Sequence, residues 1–290
     1  MPLPWDTLSH LILDCNASGV SSPGVIALLR RCTRLVSINI PLDTSDAVAD
    51  LVGPPLSVPS LESFILSRHF LPPRSLTRLI EQVSMPRLRR FHVMLAGCDE
   101  VQDSFCLVPL GKTSPLIDNL TIYLSSLTPQ SLPETLQSFP SVTKLVVFDD
   151  GIWDWDDDLV QPCNGVQLIN LLADTAVCPA LQELVVHHCN SLEKSTLDSF
   201  IQRRIGMEFA NRLRRLEISF TGSWSPEVEI MSSEDIRSYL SRGLTISLLY
   251  DPPSNLGNPF TPDTPWTGLP LENDIYSAFF RNIEGLDALG

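Results

Sequence analysis

Basic residues are scarce in this chain: 20 Lys and Arg stand against 34 Asp and Glu, a formal charge of -14. Affinity for a phosphate backbone rests on clustered cations, so no nucleic-acid partner is expected. The local groups of cations at strand entrances, Arg87, Arg89 and Arg90, and Arg212, Arg214 and Arg215, read as solvated flanks of strands. No run of ~18 apolar residues is present, so no membrane span is expected. The opening MPLPWDTLSH lacks a basic run ahead of an apolar core, which argues against a secretory leader. Seven cysteines without paired spacing fit reduced thiols better than a disulfide framework, and the expected setting is intracellular, cytoplasmic or nuclear. The sequons at Asn16 and Asn119 carry little weight in that setting. Phosphate-cradling glycine motifs, a G-x-S-x-G elbow and C-x-x-C are all missing, so neither an enzyme nor a cofactor is expected. His187, His188 and Cys189 are neighbours on one strand, and alternation sends them to opposite faces, so a metal site is not expected. The run Asp154 to Asp158 imitates a calcium loop, but Leu159 stands in place of its Gly and Gly165 in place of its bidentate Glu.

Glycine is also sparse, 14 residues against 24 prolines, and the prolines are where the pattern emerges. The stretch CPALQELVVHHCNSLEKSTLDSFIQRR, Cys178 to Arg204, contains Leu181-x-x-Leu184-x-Val186-x-x-Cys189, the apolar spacing of a leucine-rich repeat. A polar turn follows, and Ser195 is placed to cap a helix carrying Leu197, Phe200 and Ile201. The same strand pattern starts at Leu8, Leu35, Leu61, Leu88, Ile117, Val142, Leu181 and Leu213, with steps of 27, 26, 27, 29, 25, 39 and 32 residues. A second marker agrees: Pro59, Pro86, Pro115, Pro140 and Pro179 each precede the anchor by two residues. Proline cannot continue a helix, so it ends one unit and launches the next strand. One unit cannot bury its own apolar face, whereas stacked copies can. The expected fold is therefore α/β: a leucine-rich-repeat solenoid, a right-handed superhelix of about eight irregular repeats, with strands on the concave side.

Taken in order, helices are expected near 22–29, 45–52, 73–83, 134–139, 166–176 and 233–241, with only a short or irregular segment across 98–113. A strand over 244–249 closes the sheet. The solenoid occupies 1–250; residues 251–290 read as a Pro-rich linker and a last apolar helix near 274–289. The chain opens inside a repeat, the start expected of a truncated gene product or of a domain whose N-terminal neighbour is missing. The largest step holds an insertion, Asp149 to Gly165, bearing Trp153 and Trp155 among aspartates. It should leave the sheet at the C-terminal ends of the strands, on the rim of Asn16 and Cys189.

The repeat period, the P-x-L/V/I launch and the phrases CPALQELVVHHCNSLEKSTLDSFIQRR and GLTISLLYDP resemble the leucine-rich-repeat region of fungal F-box proteins, over Trp5 to Tyr250. The resemblance implies a non-enzymatic module that holds a protein substrate. Its link to a ubiquitin-ligase adaptor would run only through an N-terminal F-box, which does not precede the first repeat here. A structural or regulatory repeat protein without a ubiquitin connection is the alternative. Strand alternation adds the expected site: if Leu184 and Val186 face the core, His92, Met94, Thr121, Tyr123, Val146, Phe148, Val185 and His187 form an exposed patch on the concave face. Trp153 and Trp155 on the 149–165 loop are the second candidate contact, since tryptophan often anchors interfaces.

Overall fold

The computed structural model describes residues 4–13, 19–42, 54–67, 73–94, 107–149, 163–189, 192, 194–205, 212–220 and 234–250. The chain divides into two units, Met1–Pro252 and Pro253–Gly290, and every described residue belongs to the first. Its strands are β1 (His10–Ile12), β2 (Ser37–Pro41), β3 (Leu56–Ser57), β4 (Ser63–Ser67), β5 (Val83–Ser84), β6 (Arg90–Met94), β7 (Asn119–Tyr123), β8 (Lys144–Phe148), β9 (Glu183–Cys189), β10 (Arg215–Phe220) and β11 (Thr245–Tyr250). Its helices are α1 (Ser22–Arg31), α2 (Pro73–Gln82), α3 (Val108–Thr113), α4 (Ser131–Gln137), α5 (Gly165–Leu172), α6 (Lys194–Ile205) and α7 (Glu234–Ser241). Nine strands form one parallel sheet in chain order, β1-β2-β4-β6-β7-β8-β9-β10-β11, while β3 and β5 pair separately. The class is thus α/β with a mostly parallel sheet.

All eight anchors feed this one ladder, and each strand begins two residues after its anchor. The offset has a hydrogen-bonding cause. The anchor N–H does not join the ladder; it closes a turn onto the carbonyl three residues back, as in Leu61 to Val58 (3.4 Å), Leu88 to Met85 (3.0 Å), Ile117 to Ser114 (3.4 Å), Val142 to Phe139 (3.3 Å) and Leu181 to Cys178 (3.1 Å). Each launching proline is the second residue of such a turn, where its fixed φ is already correct and no N–H is needed. The next carbonyl then locks the register. Those of Ser9, Val36, Glu62, Arg89, Asp118, Thr143 and Gln182 each accept two successive N–H groups from the following unit, at 2.7–3.1 Å.

Burial follows alternation on one face of the sheet. From β2 to β10 of the main sheet, the core-facing pairs (Ile38 and Ile40, Phe64 and Leu66, and so on to Leu216 and Ile218) are at most 1% exposed. They meet Val25, Ile26 and Leu29 of α1, Leu76, Leu79 and Ile80 of α2, Leu168, Ile169 and Leu172 of α5, and Leu197, Phe200 and Ile201 of α6 in one cluster. Each such side chain contributes roughly 1.5–3 kcal/mol by leaving water. Helix limits differ from the sequence reading in detail. Ser21 caps α1, its Oγ accepting from Gly24 N–H at 3.2 Å. Ser195 lies inside α6, and 98–113 contains a six-residue helix, α3. Pro133 sits within α4 at its third position, where a helical N–H has no partner to lose. The helix expected at 45–52 and the one near 274–289 lie outside the described residues.

One buried cation was not anticipated. Arg204, near the end of α6, is 0% exposed. Its guanidinium donates to the carbonyls of Leu172 (2.7 Å), Asp174 (3.2 Å), Val177 (2.6 Å) and Cys178 (3.0 Å). These four close the C-terminal end of α5 and the turn that launches β9, where Cys178 adopts a left-handed φ of 47°. A cation at a helix C-terminus also meets the negative end of the helix dipole. Burial lowers the Arg204 pKa, with Cys178 and Asp174 acting in the opposite direction. Cys32, Cys163, Cys178 and Cys189 are buried thiols. Burial pushes the Cys163 and Cys178 thiols up to about 12, so they stay protonated and act as packing groups.

Candidate functional site

The face turned away from the core is organised into rows by the ladder. The first row reads His10, Ser37, Ser63, Arg90, Asn119, Lys144, Glu183, Arg215 and Thr245 across the nine strands. Two residues on, the second row reads Ile12, Asn39, Ile65, His92, Thr121, Val146, Val185, Glu217 and Ser247. Neighbours within a row lie about 4.8 Å apart, the strand spacing. The first row is polar, with Lys144 and Glu183 3.9 Å apart. Arg215 reaches Glu217 at 2.7 Å, and Arg89 reaches Asp118 at 3.3 Å. These ion pairs are at least partly solvated and each is worth under about 1 kcal/mol. The two arginine groups therefore serve the strand entrances.

The third row is aromatic. Tyr123 stacks on Phe148 with ring centroids 4.6 Å apart, and Phe148 stacks on His187 at 4.7 Å. His188 adds its ring 6.3 Å from that of Phe148. Alternation alone would separate the two histidines, and here the earlier geometric expectation is corrected. His187 and His188 together face the single residue Ser219, because the β9–β10 register shifts between Ile218 and Phe220. His188 takes a left-handed φ of 62°, and its N–H donates to Ser219 Oγ at 3.1 Å. This is a β-bulge, which re-aims a side chain that the regular pleat would send elsewhere. Among the described residues no group of three or more His, Cys, Asp or Glu is arranged to hold a metal ion.

Tyr123, Phe148, Val185 and Thr121 are not an exposed patch: they are only 5–6% accessible, and the three apolar ones lie outside the core cluster. For the two rings stacking is one physical reason. Phe148 is stacked by Tyr123 and by His187, and Tyr123 by Phe148. What water reaches instead are the half-buried His92, Val146, His187, Ile65 and Glu217. His92 Nε2 is buried without a hydrogen-bond partner among the described residues, and burial holds its pKa down at about 4. The side chain of Met94 lies outside the described residues, as do Trp153 and Trp155. Sequence reasoning missed the bulge, whose only trace is the doubled histidine.

Hydrogen bonds hold both ends of the 149–165 insertion. Asp149 follows β8, is 2% exposed, and its N–H donates to the His187 carbonyl at 2.8 Å. Its Oδ2 accepts from Gly165 N–H, the first of α5, at 2.9 Å, a carboxylate at the positive end of a helix. Asn164 and Gln167 add a reciprocal capping box. The excursion therefore leaves and re-enters at one point on the rim carrying the C-terminal ends of β8 and β9. Gly165 is required there, since a Cβ would lie 2.9 Å from Asp149 Oδ2 and 3.0 Å from Cys189 Sγ. Gly165→Ala is expected to destabilise the fold by about 2 kcal/mol through displacement of that carboxylate. Unchanged thermal denaturation would show that the clamp is not needed.

No helix among the described residues is long and apolar enough to cross a membrane. No protein-family model matches the chain, and no curated protein matches it in sequence.

Proposed function

We propose that this chain is a non-enzymatic protein-recognition module, a leucine-rich-repeat solenoid whose sheet face turned away from the core receives a segment of another protein. The observation that carries this reading is the unbroken row from Ile12 to Ser247, which sets nine side chains side by side on a face the core does not use. Its chemistry changes along its length, from amide through imidazole and aliphatic groups to carboxylate, and varied side chains on a rigid ladder can be matched by one partner and mismatched by others. In this reading Tyr123 and Phe148 are the floor that holds His92, Val146 and His187 in place, not anchors that insert into the partner. Membership of the F-box receptor group rests on the resemblance of the repeats, and docking to a ligase adaptor would need an F-box.

The test is co-purification from the source organism with the full-length gene product, followed by the same experiment on Val146→Glu. A substrate receptor should bring down a ligase adaptor and cullin subunit together with a partner, and the variant should lose the partner at least tenfold while keeping the adaptor. A partner recovered without ligase subunits would leave recognition standing and remove the ubiquitin link. Undiminished partner capture by a folded Val146→Glu protein would overturn the face as the site.

A further inference from the structure

The third residue of each launching turn sits at the turn's corner, and these corners make a row of their own. The turns close from Leu35 onto Cys32, from Leu88 onto Met85, from Ile117 onto Ser114 and from Gly243 onto Leu240. Three residues ahead of the strands, the corners are Arg34 before β2, Arg87 before β6, Arg212 before β10 and Arg242 before β11. None of the other five corners is acidic, and the one before β7, Leu116, is 49% exposed. Arg34, Arg87 and Arg242 are exposed as well, and Arg212 neighbours Arg242 across the ladder, its Nη2 3.7 Å from where a Cβ on Gly243 would stand. The sorting is wider than the row. The described residues that lead into the nine strands of the main sheet, from the last turn of a described helix where one precedes, hold 14 of the chain's 20 cations and 7 of its 34 acids. A chain of charge -14 thus carries a positive rim. Helix ends favour cations, yet the stretches from α3, α4 and α5 into β7, β8 and β9 carry only Lys112 and Lys144 against four acids. The gathering of arginine before β6, β10 and β11 is therefore not a general property of helix ends.

We propose that this corner row is a docking surface for an acidic segment of another protein, separate from the sheet face and independent of what that face binds. Carboxylates of the segment pair with Arg34 and Arg87 on one side of Leu116 and with Arg212 and Arg242 on the other, and an apolar side chain of the segment covers Leu116. Guanidinium forks match carboxylates with two parallel hydrogen bonds, and an anion between Arg212 and Arg242 relieves the repulsion of like charges side by side. Strand spacing puts Arg87 about 4.8 Å and Arg212 about 14 Å from Leu116 along the row, distances that one or two and about four residues of extended chain bridge. A nucleic acid fits the row less well. None of the exposed large apolar residues is aromatic, so nothing there stacks a base. Leu116 interrupts the cations where a phosphate track would need another one. A second copy of the chain would bring a charge of -14 of its own against the -14 already present, whereas a segment brings only its few carboxylates.

The probe is a fluorescein-labelled, amidated peptide EELGSGEE, whose leucine stands one residue after one pair of glutamates and four before the other. Titrated with the full-length chain at low salt, its anisotropy should rise to saturation, and the affinity should fall at about 0.15 M salt, where exposed charges are screened. Arg87→Gln combined with Arg242→Gln should weaken binding at least about tenfold with an unchanged circular dichroism spectrum. Arg34→Gln replaces Arg87→Gln in the pair if the first combination lowers the melting temperature. Arg78→Gln combined with Arg237→Gln changes the net charge equally from positions inside α2 and α7, and should leave the affinity within about twofold. Serine in place of the peptide's leucine should also weaken binding. No saturable binding overturns the proposal, and so does an equal loss in both double variants, which would reduce the effect to net charge. Tighter binding of an oligothymidine of the same charge would assign the row to nucleic acid and overturn it. Self-association of the full-length chain that the Arg87→Gln and Arg242→Gln pair abolishes would assign the row to a second copy and overturn it as well.

Discussion

Arg204→Met is expected to lower the unfolding free energy by about 3 kcal/mol, readable as a shift in the urea midpoint with an unchanged slope. Four carbonyls accept from this guanidinium; Asp174 and Cys178 keep a second donor in the N–H groups of Val177 and Leu181, whereas for those of Leu172 and Val177 methionine supplies no replacement while roughly keeping the length of the side chain. Buried acceptors left without donors cost about 1–3 kcal/mol each, and the loss is offset in part because the variant no longer buries a charge. Arg204→Lys should recover only part of the loss, since an ammonium cannot span carbonyls contributed by Leu172, Asp174, Val177 and Cys178 in one plane. A cost under about 1 kcal/mol for the methionine variant would mean that water or other donors satisfy the turn. The damage should be local in origin, at the junction of α5, α6 and the turn before β9. Hydrogen exchange should report it first at Leu181 and Glu183.

Stability should fall between pH 6.5 and pH 4 by about 2–3 kcal/mol more in the native sequence than in His92→Gln. The ordinary histidine pKa of 6.5 is lowered to about 4 by burial. The sign follows from proton uptake: the unfolded chain binds the proton near pH 6.5, whereas the folded chain resists it until about pH 4. The histidine therefore imposes no penalty above pH 6.5, and its penalty grows as pH falls to about 4. At about 1.36 kcal/mol per pH unit the full difference exceeds 3 kcal/mol, and water at the partly exposed ring reduces it. Chemical denaturation of both proteins at several pH values isolates His92 from the carboxylates, which are common to both. Parallel pH curves would show that the folded state accommodates the imidazolium.

The repeat was legible because it is written twice in the chain, in apolar spacing and in proline position, and both markers are local. Leu61, Leu88 and Leu181 announce their units because the turn before each strand is closed within four residues, and its proline satisfies that turn by itself. The start of each strand was displaced by two residues for the same reason, since hydrogen bonding and not apolar spacing decides where the ladder begins. The candidate site was legible in its neighbours and not in its exposure. Register places Thr121, Val146 and Val185 side by side as alternation requires, but accessibility depends on what the rings of Tyr123, Phe148 and His187 do to one another.

The amino-acid sequence by itself determined the period, the chain-order strands and which face of each strand joins the core, because each depends on residues within one unit or on apolar residues at the equivalent positions of the next. Only the tertiary structure decided the pairing of Arg204 with carbonyls 26 to 32 residues away, the bulge that brings His187 and His188 to the same ring, the clamp between Asp149 and Gly165, and the half-burial of Ile246 and Leu248 in β11. Each of these depends on residues apart in the chain or on what packs beyond a unit, not on a pattern within one strand. A hydrogen bond or a ring contact of that kind depends on position to within a few tenths of an ångström, and residue spacing along the chain carries no such information.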